Sequence, residues 1–238
     1  DWASADAQHL VFDCGPLGEG NHGHFDALSF ELAAHGRALV VDPGRYTYSE
    51  ATTADDPCNW RLHFRSTAAH NTVCGDGRNQ TRYEPKPIKE ASRHAHGSVR
   101  HKIAGPAPDT ALLEARCGDR LDLLHGRCAS HAYDAVHERC IVFVDRRYWI
   151  VADWLRAGSE HDYALNFQLG AQAQGNAALH ADAEGVRLAS PGLVAAQPRR
   201  GSSRSWTTAG SAPSGLPPSS SRFSSASRRS SASSRSAR

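Results

Sequence analysis

The sequence has no methionine, even at its start. It also has no apolar run long enough to cross a membrane and no basic-then-apolar leader at its beginning. A chain that opens Asp1-Trp-Ala-Ser reads as an internal piece of a longer protein, so a leader lost upstream fits it equally well. Six cysteines, at positions 14, 58, 74, 117, 128 and 140, show no Cys-x-x-Cys spacing. In a chain of 238 residues they need build neither a disulfide framework nor a metal cluster, and buried thiols are expected. A formal charge of +2 gives no argument for a nucleic-acid partner, although 14 histidines make the charge sensitive to mild acid.

The length suits one large β domain or two small ones. A hydrophobic fraction of 39% and a mean hydropathy of -0.53 are low for that, so part of the chain is expected not to fold. The polar excess lies at the end: from Pro198 onward Ser and Arg dominate, and such a segment cannot bury enough apolar area to offset its ordering. We therefore divide the chain into a folded domain over 1–197 and a disordered tail over 198–238. Around Trp206 a one-nucleotide shift of a back-translated reading restores ordinary strand-like residues, which makes a frameshift in a GC-rich gene the expected origin of the tail.

Within the first part, His9 to Phe12 reads as a strand closed by the breakers Gly15-Pro16 and Gly18-Glu-Gly20. Ala27 to Leu32 and Ala38 to Val41 read as a hairpin turning at Gly36. A helix over Asp26 to His35 competes, but the length and punctuation favour the hairpin. Residues 45–63 read as a long polar loop carrying Tyr46, Tyr48 and Trp60, of the kind that is functional or mobile, and 76–89 is turn-rich. Further strands are expected over Leu112–Ala115, Ala129–Tyr133, Arg139–Val144, Trp149–Trp154, 163–169 and 186–195. Many short strands without amphipathic helices indicate an all-β, antiparallel sandwich.

The chemistry-bearing stretch is 19–73. On an extended strand, His22 and His24 would send both rings to one face, so that one imidazole holds a metal while the other stays free for proton work. Asp42 at a strand end and His70 before a Thr-Val strand are the candidates to complete the set. Two nitrogens and a carboxylate oxygen with one open position suit zinc. Asp42 could equally cap a turn. Asp26 and Glu31 are expected to be structural, supporting the histidines. The cysteines are expected to be inert.

The run Gly15-Pro-Leu-Gly through His22-Gly-His24-Phe-Asp-Ala-Leu-Ser-Phe-Glu-Leu, with Asp42-Pro-Gly and Phe64-Arg-Ser-Thr-Ala-Ala-His70-Asn-Thr-Val, resembles the heparinase II/III-like polysaccharide lyases. The likeness continues through His137-Glu-Arg-Cys-Ile-Val-Phe-Val-Asp and Tyr148-Trp-Ile-Val-Ala-Asp-Trp-Leu. It implies a C-terminal β-sandwich that works with an N-terminal helical toroid, and β-elimination on an acidic, uronate-containing polysaccharide. It also implies zinc held by His24, Asp42 and His70, with a structural or site-organising role. His22 would act as acid, base or charge stabiliser, with Tyr46 as the tyrosine at the cleft and Tyr48 in reserve. Arg65 and Asn71 would meet the acidic sugar or support the metal shell. The family's principal catalytic tyrosine lies in the toroid, so the sandwich alone is expected to be catalytically incomplete, and His63 stands where the family often has Tyr. The rival expectations are a glycan-binding or structural module and a zinc hydrolase. Large glycans lie outside the cytoplasm, which favours a periplasmic or secreted protein.

Overall fold

A computed structural model describes residues 4, 7–18, 22–87, 99–171, 178–181, 185–190, 193–198 and 222–227. Its strands, in chain order, are β1 His9–Phe12, β2 Phe30–Ala34, β3 Arg37–Val40, β4 Val73–Gly75, β5 Tyr83–Pro87, β6 Val99–Ile103, β7 Asp109–Arg116, β8 Leu121–Ser130, β9 Ala135–Val144, β10 Tyr148–Ala157, β11 Tyr163–Gln168, β12 Ala178–Ala181, β13 Gly185–Ser190, β14 Leu193–Pro198 and β15 Arg222–Ser227. Helix α1, Trp60–Arg65, is the single α-helix among the described residues, and a 3-10 turn over Thr67–Ala69 follows it.

All strand pairings are antiparallel. One layer holds β1-β2-β3 and continues through the Val40–Leu169 bridge into the sheet ordered β15-β11-β4. The facing layer is the four-stranded sheet β10-β9-β8-β7. Between them Phe30, Leu32, Ala34, Leu39 and Val40 pack with Ile141 of β9, and Trp149, Val151 and Phe167 close around this cluster. The molecule is therefore the antiparallel sandwich that the strand spacing implies.

The hairpin reading holds over its helical competitor. His35 and Gly36 take φ values of 53° and 69°, the left-handed pair that a two-residue hairpin turn requires and that Gly supplies without strain. Other boundaries are corrected. The strand expected over Ala129–Tyr133 is the end of the longer β8, and residues 131–134 turn instead. The strand expected from Arg139 begins at Ala135, and 186–195 is split between β13 and β14. The polar loop ends in α1, started by Asn59, whose Oδ1 accepts the Leu62 amide at 3.1 Å. The turn-rich 76–89 stretch contains β5, whose Pro85 and Pro87 suit a strand at a sheet edge. The tail expected to be disordered lies outside the described residues, except for Pro198 at the end of β14 and for β15, which pairs with β11.

No disulfide links the six cysteines, and burial pushes the Cys128 thiol up to about 12, away from reactivity.

β9 begins earlier than expected, and the inward face of its first half carries two polar side chains. His137 and Arg139 point into the sandwich, and Arg139 stands opposite Asp153 of β10. Arg139 Nε donates to Asp153 Oδ1 at 2.8 Å, and His137 Nε2 lies 2.6 Å from the same oxygen. Burial alone would raise the Asp153 carboxyl, but the Arg139 charge and the His137 bond outweigh it and hold it below the usual carboxylate range. A carboxylate depressed in the folded state gives stability that is complete above its unfolded value near ~4 and is lost as pH falls through the folded one. Urea unfolding should therefore show a steep loss of stability on acidification below about pH 4, and Asp153→Asn should flatten that dependence.

Candidate functional site

Three segments outside the strands meet at one end of the sandwich: 13–18 with 22–29 between β1 and β2, 41–50 after β3, and 59–72, which carries α1 and the 3-10 turn, before β4. The first carries His22 and His24, but not on a strand. Its Gly23 lies against the Gly18 backbone so closely that a Cβ there would collide with it. Phe25 N donates to Arg65 O at 3.1 Å, and Ala27 N to Gln80 Oε1 at 3.0 Å. The two rings consequently diverge instead of sharing a face.

His24 turns inward to His70, with His24 Nδ1 and His70 Nε2 separated by 3.1 Å. His70 is fully buried. Its Nδ1 lies 2.8 Å from the Ser66 carbonyl, which can only accept, so the ring is protonated there and Nε2 presents a lone pair. Asp42 Oδ2 lies 3.6 Å from that nitrogen, and Asp26 Oδ2 lies 3.9 Å from it and 4.0 Å from His24 Nδ1. Tetrahedral zinc with bonds near 2.0–2.1 Å sets its donors about 3.3 Å apart. The separations in this cluster bracket that edge, and the donor set of imidazole and carboxylate suits the ion.

Of the residues expected as ligands, His24 and His70 are brought together and Asp42 reaches His70, but the group whose donor atoms all lie within 4.8 Å of one another is His24, Asp26 and His70. Asp42 Oδ1 also accepts the Gly44 amide at 2.7 Å, so the turn-capping role and the approach to His70 coexist. Asp26, expected only to support the histidines, is the carboxylate near both rings, and His24, Asp26 and His70 form a group able to hold an ion. Its place two residues beyond His24 was the signal available in the sequence. Glu31 is exposed on β2. Burial, with Asp13 nearby, pushes the Asp26 carboxyl up to about 6. Burial and the facing His70 lower His24 below its ordinary value, which favours the neutral, ligating form.

His22 turns outward instead, and its Nδ1 lies 3.1 Å from the Tyr48 hydroxyl. The Arg45 guanidinium carbon sits 3.3 Å from the centre of the Tyr48 ring. Tyr46, expected at the cleft, is 63% exposed at φ 58° and packs on Phe64 and Trp60 at centroid distances of 5.3 and 5.9 Å. The reserve tyrosine takes the position beside His22, because the left-handed φ at Tyr46 breaks the extended alternation that would set both rings on one face.

Arg65 and Asn71 are both buried. Arg65 Nη1 donates to the Tyr83 hydroxyl at 2.9 Å. Asn71 Nδ2 donates to Phe30 O and Val41 O, each at 2.9 Å, while its Oδ1 accepts the Gln168 amide at 2.6 Å. The expected contact with a sugar is not the role these side chains show. Of the two expectations, support of the shell around His70 and Asp42 is the one their placement fits.

The family described as "Heparinase II/III-like, C-terminal" matches residues 1–233. Among solved structures, the heparan sulfate lyase HepC from Pedobacter heparinus is similar at 20% identity and a TM-score of 0.56, over 76% of this chain and 24% of that one. A heparinase III gene product gives 21% and 0.57, over 77% and 24%, and a further heparinase III structure gives 19% and 0.55, over 78% and 25%. At these identities the likeness shows the fold, and the chain spans about a quarter of the length of each neighbour. A comparison with curated proteins gives no match.

The Asn71 geometry can be tested without any ligand. Asn71→Ala leaves two carbonyls and one amide unpaired in the interior and should cost about 3 kcal/mol or more, read as a lowered urea midpoint with an unchanged slope.

Proposed function

The chain belongs to the heparinase II/III-like C-terminal family, and from that premise we propose that it is the β-sandwich part of a polysaccharide lyase that cleaves uronate-containing acidic glycans by β-elimination. The observation that carries this reading is the solvent-facing His22–Tyr48 pair, 3.1 Å apart, set beside a buried cluster ready for a metal. β-Elimination breaks the C5–H bond, moves that electron pair into a C4–C5 double bond and expels the glycosidic oxygen, which takes up a proton. Negative charge builds on the uronate carboxylate as the proton leaves, so fixed positive charge belongs there.

Tyr48 Oη and His22 Nδ1 share one hydrogen bond and can hold or pass a proton at those atoms. Arg45, stacked on the Tyr48 ring, offers its guanidinium to the carboxylate. Tyr46, expected as the tyrosine at the cleft, instead forms an aromatic wall with Trp60, backed by the buried Phe64. His24, His70 and Asp42 would hold zinc, with Asp26 in reach of the same ion, and the bound metal supplies a fixed charge that ties the three segments together. A helical toroid in the full-length protein is proposed to complete the site. An exported location follows from the size of the substrate.

Two measurements test the reading. Purified protein should carry one zinc per chain, and His70→Ala should remove it and lower thermal stability; a chain that stays metal-free in excess zinc would count against the site. With acidic glycans, elimination yields the ultraviolet chromophore of an unsaturated uronate. Measured on the full-length protein, new reducing ends without that chromophore would mean a hydrolase, and glycan retention without either product a binding module. His22→Ala and Tyr48→Phe should each cut elimination by about 10²-fold or more with zinc content unchanged.

A further inference from the structure

Arg139 lies on the sheet opposite the site and far from it in sequence, yet its guanidinium reaches both loops that carry the buried donors. Nη1 donates to Leu28 O at 2.7 Å and to Asn71 O, while Nε and Nη2 grip Asp153 at 2.8 and 3.2 Å. Asn71 directly follows His70. Leu28 stands two residues beyond Asp26 and four beyond His24, and it holds φ at 63°, an uncommon conformation for a branched side chain. The Arg139 side chain is fully buried, and its charge lies over the Phe30 ring at 5.3 Å.

A buried ion pair of this kind is often no more stabilising than apolar residues of the same volume. What it supplies here is geometry. One rigid fork, anchored by a bidentate carboxylate, fixes the place of the single nitrogen on which two carbonyls from separate loops converge. Those loops bring His24 and Asp26 on one side and His70 on the other. We infer that Arg139, anchored by Asp153, is a positioning residue that sets the spacing of the metal donors from across the sandwich. This rests on the zinc reading above only for its affinity readout.

Lysine keeps the charge, but its single nitrogen cannot bond the two carbonyls and also grip Asp153 through two further nitrogens, so the carbonyls lose their fixed distance from the anchor. Arg139→Lys should bind zinc about 10- to 100-fold more weakly in a chelator competition, and its metal-free crystal structure should show the His24 Nδ1–His70 Nε2 separation widened beyond 3.1 Å. His137→Leu is the control. It removes the other bond to Asp153 without touching either loop, so it should lower thermal stability and leave zinc affinity within about twofold, well inside the range of a lost supporting contact. An Arg139→Lys protein with unchanged affinity and spacing overturns the inference, as does a His137→Leu protein that loses as much affinity as Arg139→Lys. Failure of the unmutated chain to bind zinc would sink the metal reading, while the spacing in the variant still decides the role of Arg139. If Arg139→Lys does not fold, Asp153→Asn carries the same test, because it leaves the guanidinium in place and reduces its bidentate charged anchor to one neutral acceptor.

Discussion

Irregular backbone buried between two sheets is tolerated only when side chains satisfy its amides and carbonyls. That constraint shapes the site end of this sandwich. Asn71 bonds the carbonyls of Phe30 and Val41. Gln80 closes a ring of bonds on Ala27, accepting its amide and donating to its carbonyl, which Thr72 Oγ1 also engages. Ser29 Oγ accepts the Asn71 amide, and Arg139 takes the carbonyls of Leu28 and Asn71. Three loops that could not support one another through strand pairing are joined by side chains from distant parts of the chain. The donor cluster is a consequence of that joining: His24, Asp26, Asp42 and His70 meet because their backbones are held.

The electrostatics of the cluster follow from the same enclosure. Two imidazole nitrogens 3.1 Å apart repel if both present lone pairs. His70 Nδ1 is committed to Ser66, so without a cation His24 Nδ1 must donate to His70 Nε2. Burial meanwhile pushes Asp26 toward its neutral acid and His24 toward its neutral base. A dication reverses the carboxylate preference and uses both bare nitrogens. The cluster is satisfied without a cation by one imidazole hydrogen bond, and on the proposed reading a dication would replace that bond and favour the ionised carboxylates.

Much of this was legible in the sequence where the signal was local. The hairpin at Gly36 and the first strand depended on turn chemistry and short-range alternation. Asp42 and His70 emerged because each sits at a strand boundary in a motif. The misplacements share a different cause. β9 appeared to start at Arg139 because His137 and Glu138 look solvated, and only the pairing with Asp153 across the strands makes a polar inward face acceptable. Tyr46 and Tyr48 are two residues apart on a backbone that passes through φ 58°, so no periodicity could tell which one reaches His22. Asn71 and Arg65 resembled ligand-binding residues because unsatisfied amide and guanidinium groups look the same in a sequence whether a sugar or a backbone will satisfy them. Asp26 was undervalued because its partner His70 is 44 residues away, and proximity of that kind is a property of the fold.

The site divides into two halves with opposite exposure, and the division limits what each can do. His24 and His70 have ring nitrogens turned toward each other or toward backbone, and His70 has no contact with solvent, so neither is placed to exchange protons with a polymer. His22 and Tyr48 are exposed, joined by one hydrogen bond, and backed by the Arg45 guanidinium. A hydroxyl and an imidazole paired in this way can relay a proton only if something else fixes the sugar between them and the leaving oxygen. On the proposed reading the sandwich would offer one wall of such a clamp through Tyr46 and Trp60, which pack on the buried Phe64. On that reading, a proton relay with a single wall would orient a substrate poorly, and the helical toroid proposed above would supply the opposing surface.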